Sequence, residues 1–84
     1  MQGRVKEKRV IVTLRQREVL THMLQREQLS IGELASQLGV TYVAVIKIVK
    51  RLEHKQLVQR KVDEWDRRRT LLIPTEVGRS IIHD

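Results

Sequence analysis

The chain has 84 residues, no cysteine, 32% charged residues and a formal net charge of +7. A chain of this length forms one small domain that buries only about 60% of its unfolded surface, so a pocket of enzyme size is not expected. The missing cysteines exclude disulfides and thiol redox chemistry. No apolar run approaches the roughly 20 residues that cross a bilayer, so we expect a soluble, cytoplasmic protein without membrane contact.

The N-terminal residues predict little regular structure. Residues 1–9 carry charges of both signs and little to bury, so we predict a flexible basic arm there and a folded domain over residues 10–84. Val10, Ile11 and Val12 favour extended backbone, and we expect a short strand near the hairpin described below.

The first helix pattern begins at a capping box. Thr13 and Gln16 have the spacing at which each side chain satisfies the backbone amide of the other residue. The pattern predicts a helix that runs to about Gln28, with these residues facing inward: Val19, Leu20, Met23 and Leu24.

Two further helix patterns follow in close succession. Ser30 and Glu33 repeat the capping box, Gly39 supplies a left-handed helix end, and Thr41 caps a third helix that ends near Lys55. The apolar residues of each helix recur at i, i+3, i+4 and i+7. They are Ile31, Leu34, Ala35 and Leu38, then Val45, Ile48, Val49 and Leu52. A connection this short predicts a helix-turn-helix.

A charged hairpin completes the pattern. Residues 57–60 and 70–73 read as two strands, and the segment between them is rich in charge. Pro74 ends the second strand because it has no amide proton, and Thr75 caps a final helix that carries Val77, Ile81 and Ile82. The fold class is therefore α+β and mostly α: a winged helix-turn-helix with a two- or three-stranded antiparallel wing.

Basic residues concentrate on the third helix and the hairpin. The segment from Tyr42 to Arg69 contains nine basic and four acidic residues. Charge runs are usually solvated surface. We favour a polyanion-binding surface here, because the charge lies on the two elements that a winged helix projects towards duplex DNA.

The outward face of the third helix supplies candidate DNA contacts. Lys47 can reach guanine O6 or N7, Tyr42 a phosphate or base edge, and Val43 or Ile46 a thymine methyl, although Ile46 can equally pack under the wing. Lys50 and Arg51 lie further along and fit phosphates. The candidate set on this helix is Thr41, Tyr42, Val43, Ile46, Lys47, Lys50 and Arg51.

The hairpin tip supplies the other candidates. Arg67, Arg68 and Arg69 repel one another in a tight turn unless an anion or Asp63 and Asp66 offset their charge, and exposed ion pairs contribute only about 0–1 kcal/mol. A narrow minor groove, with its negative potential, explains this crowding better than stability does. For Trp65 we favour folding back over the hairpin strands above insertion at the DNA backbone.

The sequence offers no arrangement for catalysis or metal binding. The histidines lie on separate helix patterns without i, i+4 spacing, and no serine has a His and an Asp placed to activate it. We expect no enzyme activity, no metal and no cofactor.

Five pieces of the chain also occur in a specific order and spacing: Thr13-Leu14-Arg15-Gln16 with Val19-Leu20, residues 31–40, residues 45–58, Asp63 with Asp66-Arg67-Arg68, and Thr75-Glu76-Val77-Gly78. Together they resemble the DNA-binding core of the MarR family of transcriptional regulators, over residues 12–82. The resemblance implies a recognition helix from Thr41 in the major groove. It also implies Arg68 as the minor-groove arginine, with Asp66 orienting it.

The chain departs from the family pattern in three places. Gln56 stands where the family usually has Gly, and Pro74 where a strand Leu is usual. In the family, flanking helices build the dimer and frame a cleft for aromatic effectors. This chain has too few residues at either end to form them. We therefore expect a monomer or a weak homodimer without the usual effector site.

The sequence leaves two functions open. The first is a small transcriptional regulator that binds double-stranded DNA. The second is a protein-interaction module whose partner is acidic, such as polymerase or another regulator. Binding of single strands is disfavoured, because one Trp, one Tyr and no Phe leave almost no stacking platform.

Overall fold

The structure is a computed structural model that describes residues 10–26 and 28–83. It contains four helices and a three-stranded sheet in this part of the chain. The elements in chain order are α1 (Leu14–Gln25), β1 (Leu29–Ser30), α2 (Ile31–Leu38), α3 (Tyr42–His54), β2 (Val58–Val62), β3 (Thr70–Pro74) and α4 (Glu76–His83). The predicted winged helix-turn-helix is confirmed, and the predicted arm at residues 1–9 lies outside the described residues.

Helix α1 begins as the capping box predicts. The Thr13 hydroxyl accepts the Gln16 amide at 3.0 Å, and the Gln16 side chain accepts the Thr13 amide at 3.2 Å. The helix ends at Gln25, three residues before the predicted end, and Gln28 has left-handed backbone with φ of 58°. Leu24 is half-buried, whereas the other three predicted inward residues are buried.

The third strand of the sheet is not where the sequence placed it. Residues 10–12 form no strand, and Val12 instead packs against the core. Leu29 and Ser30 pair antiparallel with Leu72 and Leu71, which makes the strand order β1-β3-β2. Val10, Ile11 and Val12 have the higher β propensity, but the segment that pairs with β3 forms the third strand, because β propensity depends strongly on context.

Helices α2 and α3 form the helix-turn-helix. Gly39 ends α2 with φ of 68°, a left-handed conformation that glycine adopts without a Cβ clash. The chain direction turns by 112° between α2 and α3, within the range of the motif. No single helix in the described ranges is long and apolar enough to cross a membrane, and the bent pair α2 and α3 reaches that length and hydropathy only when taken together.

The core lies between the helices and one face of the sheet. Val19 and Leu20 of α1 belong to one buried cluster with the stripes of α2 and α3, and Leu57 and Leu72 are its members on the sheet side. The predicted apolar stripes are largely buried; Leu38 and Ile48 are half-buried at the edge of the core. Burial of these stripes fixes which side of α3 remains free for solvent.

Hydrogen bonds from Thr75 connect the start of α4 to the chain that follows α3. The Thr75 amide donates to the Leu57 carbonyl oxygen at 2.9 Å, and the Thr75 hydroxyl donates to the Gln56 carbonyl oxygen at 2.9 Å. Gln56 adopts left-handed backbone with φ of 63°, as its place at the helix stop required. On α4, Ile81 and Ile82 pack partly against the core, whereas Val77 is exposed.

Candidate nucleic-acid interface

The N-terminus of α3 is capped and open to solvent. The Thr41 hydroxyl accepts the Ala44 amide at 3.1 Å, so Thr41 fixes the first turn of the helix. Tyr42 and Val43 follow it, and the side chains of both are more than half exposed. An exposed helix N-terminus with a tyrosine and a valine presents amide donors, a hydroxyl and a methyl surface at one point.

One face of α3 carries the basic residues. Val43, Lys47, Lys50 and Arg51 are exposed and recur at the spacing of a single helix face, opposite the buried Val45, Val49 and Leu52. Within residues 10–26 and 28–83, no carboxylate forms an ion pair with these three cations. The face therefore displays positive charge that no neighbouring acid offsets.

Ile46 lies at the edge of this face. Its side chain is half-buried and packs against the core. The sequence left open whether Ile46 contacts a thymine methyl or packs under the wing; in the structure its buried part packs against the core. Any contact of Ile46 with another molecule would involve only its exposed part.

The wing is a compact loop between β2 and β3. The Asp63 amide donates to the Arg69 carbonyl oxygen at 3.0 Å, and the Arg69 amide donates to the Asp66 carbonyl oxygen at 2.9 Å. The Asp63 carboxylate also accepts the Trp65 amide at 2.8 Å. These bonds give the tip a defined conformation beyond the last strand pair, Val62 and Thr70.

At this tip, the Asp66 carboxylate binds Arg68. Asp66 Oδ1 accepts the amide of Arg68 at 3.1 Å and its Nε at 3.0 Å, and Oδ2 accepts Nη2 at 3.3 Å. Hydrogen bonds from the Arg68 side chain, followed by the bond from its amide, lower the pKa of Asp66. The Arg68 side chain is 89% exposed, so the pair orients the guanidinium and leaves it accessible.

Arg69 has other partners than Arg68 and is less exposed. Its Nη2 lies 3.0 Å from Glu33 Oε1 of α2, and its Nη1 lies 3.2 Å from Asp63 Oδ2 at the wing base. The sequence grouped Arg69 with the DNA-contacting arginines, but here its guanidinium faces two carboxylates. Sequence reasoning missed Glu33 as a partner, because Glu33 and Arg69 are 36 positions apart and no local pattern links them.

Trp65 corrects another expectation. The side chain is 92% exposed, so it does not fold back over the hairpin strands. The Asp63 carboxylate accepts the Trp65 amide and so holds the backbone of Trp65 in a turn, and the side chain stands in solvent. The wing thus displays a large apolar ring close in sequence to Arg67 and Arg68.

The basic segment therefore divides into two groups. Lys55, Arg60 and Arg69 are used inside the domain: Lys55 Nζ donates to the Ile11 carbonyl and the Gln16 side chain, and Arg60 pairs with Glu53 at 2.9 Å. A second group remains displayed on α3 and the wing. It consists of Lys47, Lys50, Arg51, Lys61, Arg67 and Arg68.

The described ranges hold no group of three His, Asp or Glu side chains that could bind a metal ion. His22 is accounted for by a 3.0 Å hydrogen bond between its Nδ1 and Gln37 Oε1. The chemistry that the surface displays is a row of cations beside a capped helix N-terminus. Both features favour an anionic partner.

Solved structures with the same architecture include regulators bound to DNA. The S. aureus MepR–DNA complex is 27% identical with a TM-score of 0.82, and the alignment covers 86% of this chain and 60% of that one. Transcriptional regulator Tm0710 from Thermotoga maritima is 34% identical with a TM-score of 0.79, covering 84% and 50%. Streptococcus pneumoniae FabT in complex with DNA is 24% identical and shares the fold, with a TM-score of 0.83, covering 86% and 50%.

The chain spans about half the length of these solved relatives. No curated protein sequence matches it. The profile of the MarR family matches residues 12–70, which include the first three helices and most of the wing. With this match and the shared winged-helix architecture, the chain belongs to the MarR family.

Proposed function

We propose that this chain is the DNA-binding part of a small transcriptional regulator that acts in the cytoplasm by occupying duplex DNA. The observation that carries the proposal is the exposed basic face of α3 together with the oriented guanidinium of Arg68 on the wing. Relatives of the same architecture support it, since MepR is solved with DNA. The proposed reaction is binding alone, without covalent chemistry.

In this proposal α3 enters the major groove with its N-terminal half. Lys47 lies on the exposed face one turn after Val43, so it reaches base edges where each base pair presents a distinct pattern. Tyr42 and Val43 offer a hydroxyl and a methyl surface beside it, and Thr41 holds the first turn. Lys50 and Arg51 lie further along the helix and contact phosphates, which position the protein without reading sequence.

The wing approaches the adjacent minor groove. Arg68 is the proposed inserting side chain, because Asp66 sets its direction and it remains exposed. A minor groove narrowed by A·T base pairs has the more negative potential, so the guanidinium favours such flanks. Arg67 contacts the neighbouring phosphates in this arrangement.

A salt titration tests the binding mode. If about four to six phosphates are neutralised by the α3 cations and wing arginines, log K falls with log salt at a slope of roughly −4 to −5 on random duplex. The fraction bound is measured at several salt concentrations. A slope near zero would reject the proposal.

Two substitutions separate reading from positioning. Lys47→Ala should cost about 1–3 kcal/mol at a preferred site and less on random duplex. Arg68→Ala should weaken binding to all sequences and remove any preference for A·T flanks, while the central preference stays. The control is Arg79→Ala on α4, which removes an exposed charge outside the proposed interface. The readout is selection from a random-duplex library, and identical losses for Lys47→Ala and Arg68→Ala would contradict the assigned roles.

The second candidate is a surface for an acidic protein partner, such as polymerase or another regulator. The exposed side chains of Tyr42 and Val43 favour it, since both are apolar and accessible on α3. Binding of an acidic protein through this patch predicts a large loss of affinity for Val43→Asp, because a carboxylate in the patch repels that partner. For the isolated chain we propose a monomer or a weak homodimer. Ile81 and Ile82 pack partly against the core, so only part of their apolar surface is free for contact with a second copy. Sedimentation measures the oligomeric state.

A further inference from the structure

Arg69 connects the wing to the helix-turn-helix. We propose that Arg69, Glu33 and Asp63 form a clasp that fixes the wing relative to α2 and α3, and that Arg69 is a positioning residue for DNA binding. The inference rests on the proposed function, because the clasp sets where Arg68 stands relative to the recognition helix. Arg69 itself then needs no contact with DNA.

The geometry of the clasp is that of a forked guanidinium between two acids. Nη2 of Arg69 lies 3.0 Å from Glu33 Oε1, and Nη1 lies 3.2 Å from Asp63 Oδ2. The Arg69 side chain is 38% exposed and that of Asp63 only 11%, against 89% for Arg68. A planar guanidinium with two separate donor groups can hold two acceptors in one fixed orientation.

Both acids are themselves held in place. Glu33 Oε1 also accepts the Ser30 amide at 3.0 Å in the capping box that begins α2. The other oxygen of Asp63 accepts the Trp65 amide at 2.8 Å, and the Asp63 amide donates to the Arg69 carbonyl oxygen. Arg69 therefore links a helix N-terminus to the wing through groups that are already ordered, which lowers the entropy cost of forming the pair.

The charges of the clasp disfavour direct DNA contact by Arg69. One guanidinium and two carboxylates give the three side chains a net charge of −1. A phosphate that approached Arg69 would have to displace one of the acids or meet the charge of both. Arg68 lacks this problem, because it has one carboxylate partner and an exposed side chain.

Within the described residues, the Arg69–Glu33 pair is the one hydrogen bond from residues 63–69 to an element other than β2 and β3, so without the clasp the wing is tied to the domain mainly through these two strands. Partly exposed ion pairs add little to folding stability, so loss of the clasp should leave the unfolding midpoint nearly unchanged. Its effect should appear in the order of the wing and in DNA affinity. This difference separates a positioning role from a structural one.

Glu33→Gln is the decisive variant. Gln at this position keeps the capping box, because its amide oxygen can still accept the Ser30 amide, but it removes the charge that holds Arg69. Simple electrostatics predict tighter DNA binding when an acid is removed. The clasp predicts the opposite sign, a loss of roughly three- to tenfold, as for other coupled contacts.

Matched variants complete the experiment. Glu18→Gln on α1 removes an exposed acid that also pairs with an arginine, Arg15, and should leave affinity unchanged or slightly raised. Arg69→Gln should weaken binding as Glu33→Gln does, and the double variant should lose no more than either single one. The salt slope should stay unchanged in all of these, whereas loss of a phosphate contact reduces it by about one.

A second measurement does not need DNA. Backbone order parameters of residues 63–69 in the free protein should fall in Glu33→Gln and Arg69→Gln and stay unchanged in Glu18→Gln. Unchanged wing order, or tighter DNA binding by Glu33→Gln, would overturn the clasp. If Arg69→Gln reduced the slope of log K against log salt by about one, both alone and combined with Glu33→Gln, Arg69 would instead be a phosphate contact. Failure of the wild type to bind DNA would reject the proposed function, while the order parameters would still decide whether the clasp holds the wing.

Discussion

Gly78 gives the most direct test of how the domain closes. It is buried in the first half of α4, where the helix crosses the backbone at Leu57. A Cβ added at Gly78 would lie inside the van der Waals contact of the Leu57 carbonyl oxygen, 3.2 Å from its carbon and 3.5 Å from Leu20 Cδ2. That oxygen also accepts the Thr75 amide. The atoms that such a Cβ would meet belong to the backbone of Leu57, so they cannot move aside by a change of side-chain rotamer.

The expected size of the effect for Gly78→Ala follows from two opposing terms. Alanine is favoured over glycine in a helix by about 1 kcal/mol. Against this, overpacking costs about 1–3 kcal/mol, and displacement of α4 weakens the Thr75 bond, a loss of about 0.5–1.5 kcal/mol. We therefore expect a net destabilisation of about 1–3 kcal/mol.

The control is Gly32→Ala in α2, where an added Cβ meets no atom within 4 Å. Helix propensity alone then applies, so this variant should gain up to about 1 kcal/mol. Urea unfolding followed by circular dichroism measures both. With a slope of about 1 kcal/mol per molar, Gly78→Ala should lower the midpoint by about 1–3 M and Gly32→Ala should raise it. Equal midpoints for the two variants would refute the close approach of α4 to Leu57.

Three further outcomes are expected. Leu34→Ala should cost about 2–5 kcal/mol and leave the domain largely unfolded in a thermal melt, because Leu34 is fully buried and such a domain has about 5 kcal/mol in total. Gln56→Gly should raise the unfolding free energy by about 0.5–1 kcal/mol, since it relieves left-handed strain; His54→Gly, in the ordinary helical backbone of α3, should lower it. The hydrogen bond from the Ser30 amide lowers the pKa of Glu33 below 4.5 in the folded protein. The ionised Glu33 therefore stabilises the fold fully above pH 4.5, and this stabilisation is lost as the pH falls through the pKa of Glu33 in the folded protein. The urea midpoint of Glu33→Gln should lack this part of the acid dependence.

The sequence by itself determined the helices and their starts. Capping boxes at Thr13 and Ser30, the left-handed Gly39 and the 3.6-residue periodicity are local signals, and the structure has each of them. The same periodicity identified the buried side of α3 and hence its exposed basic face. The ends of elements were less certain, as the early end of α1 shows, because the last turn of a helix depends on what the following chain packs against.

The tertiary structure alone decided the long-range pairings. Leu29 and Ser30 became a strand because β3 lies beside them, although Val10, Ile11 and Val12 have the stronger propensity. Arg69 was assigned to Glu33 in the same way, through a contact between residues far apart in the chain. A cluster of three arginines looks uniform in sequence. Only the fold distinguishes a guanidinium displayed to solvent from one held between two acids, because charge partners are set by distance in space.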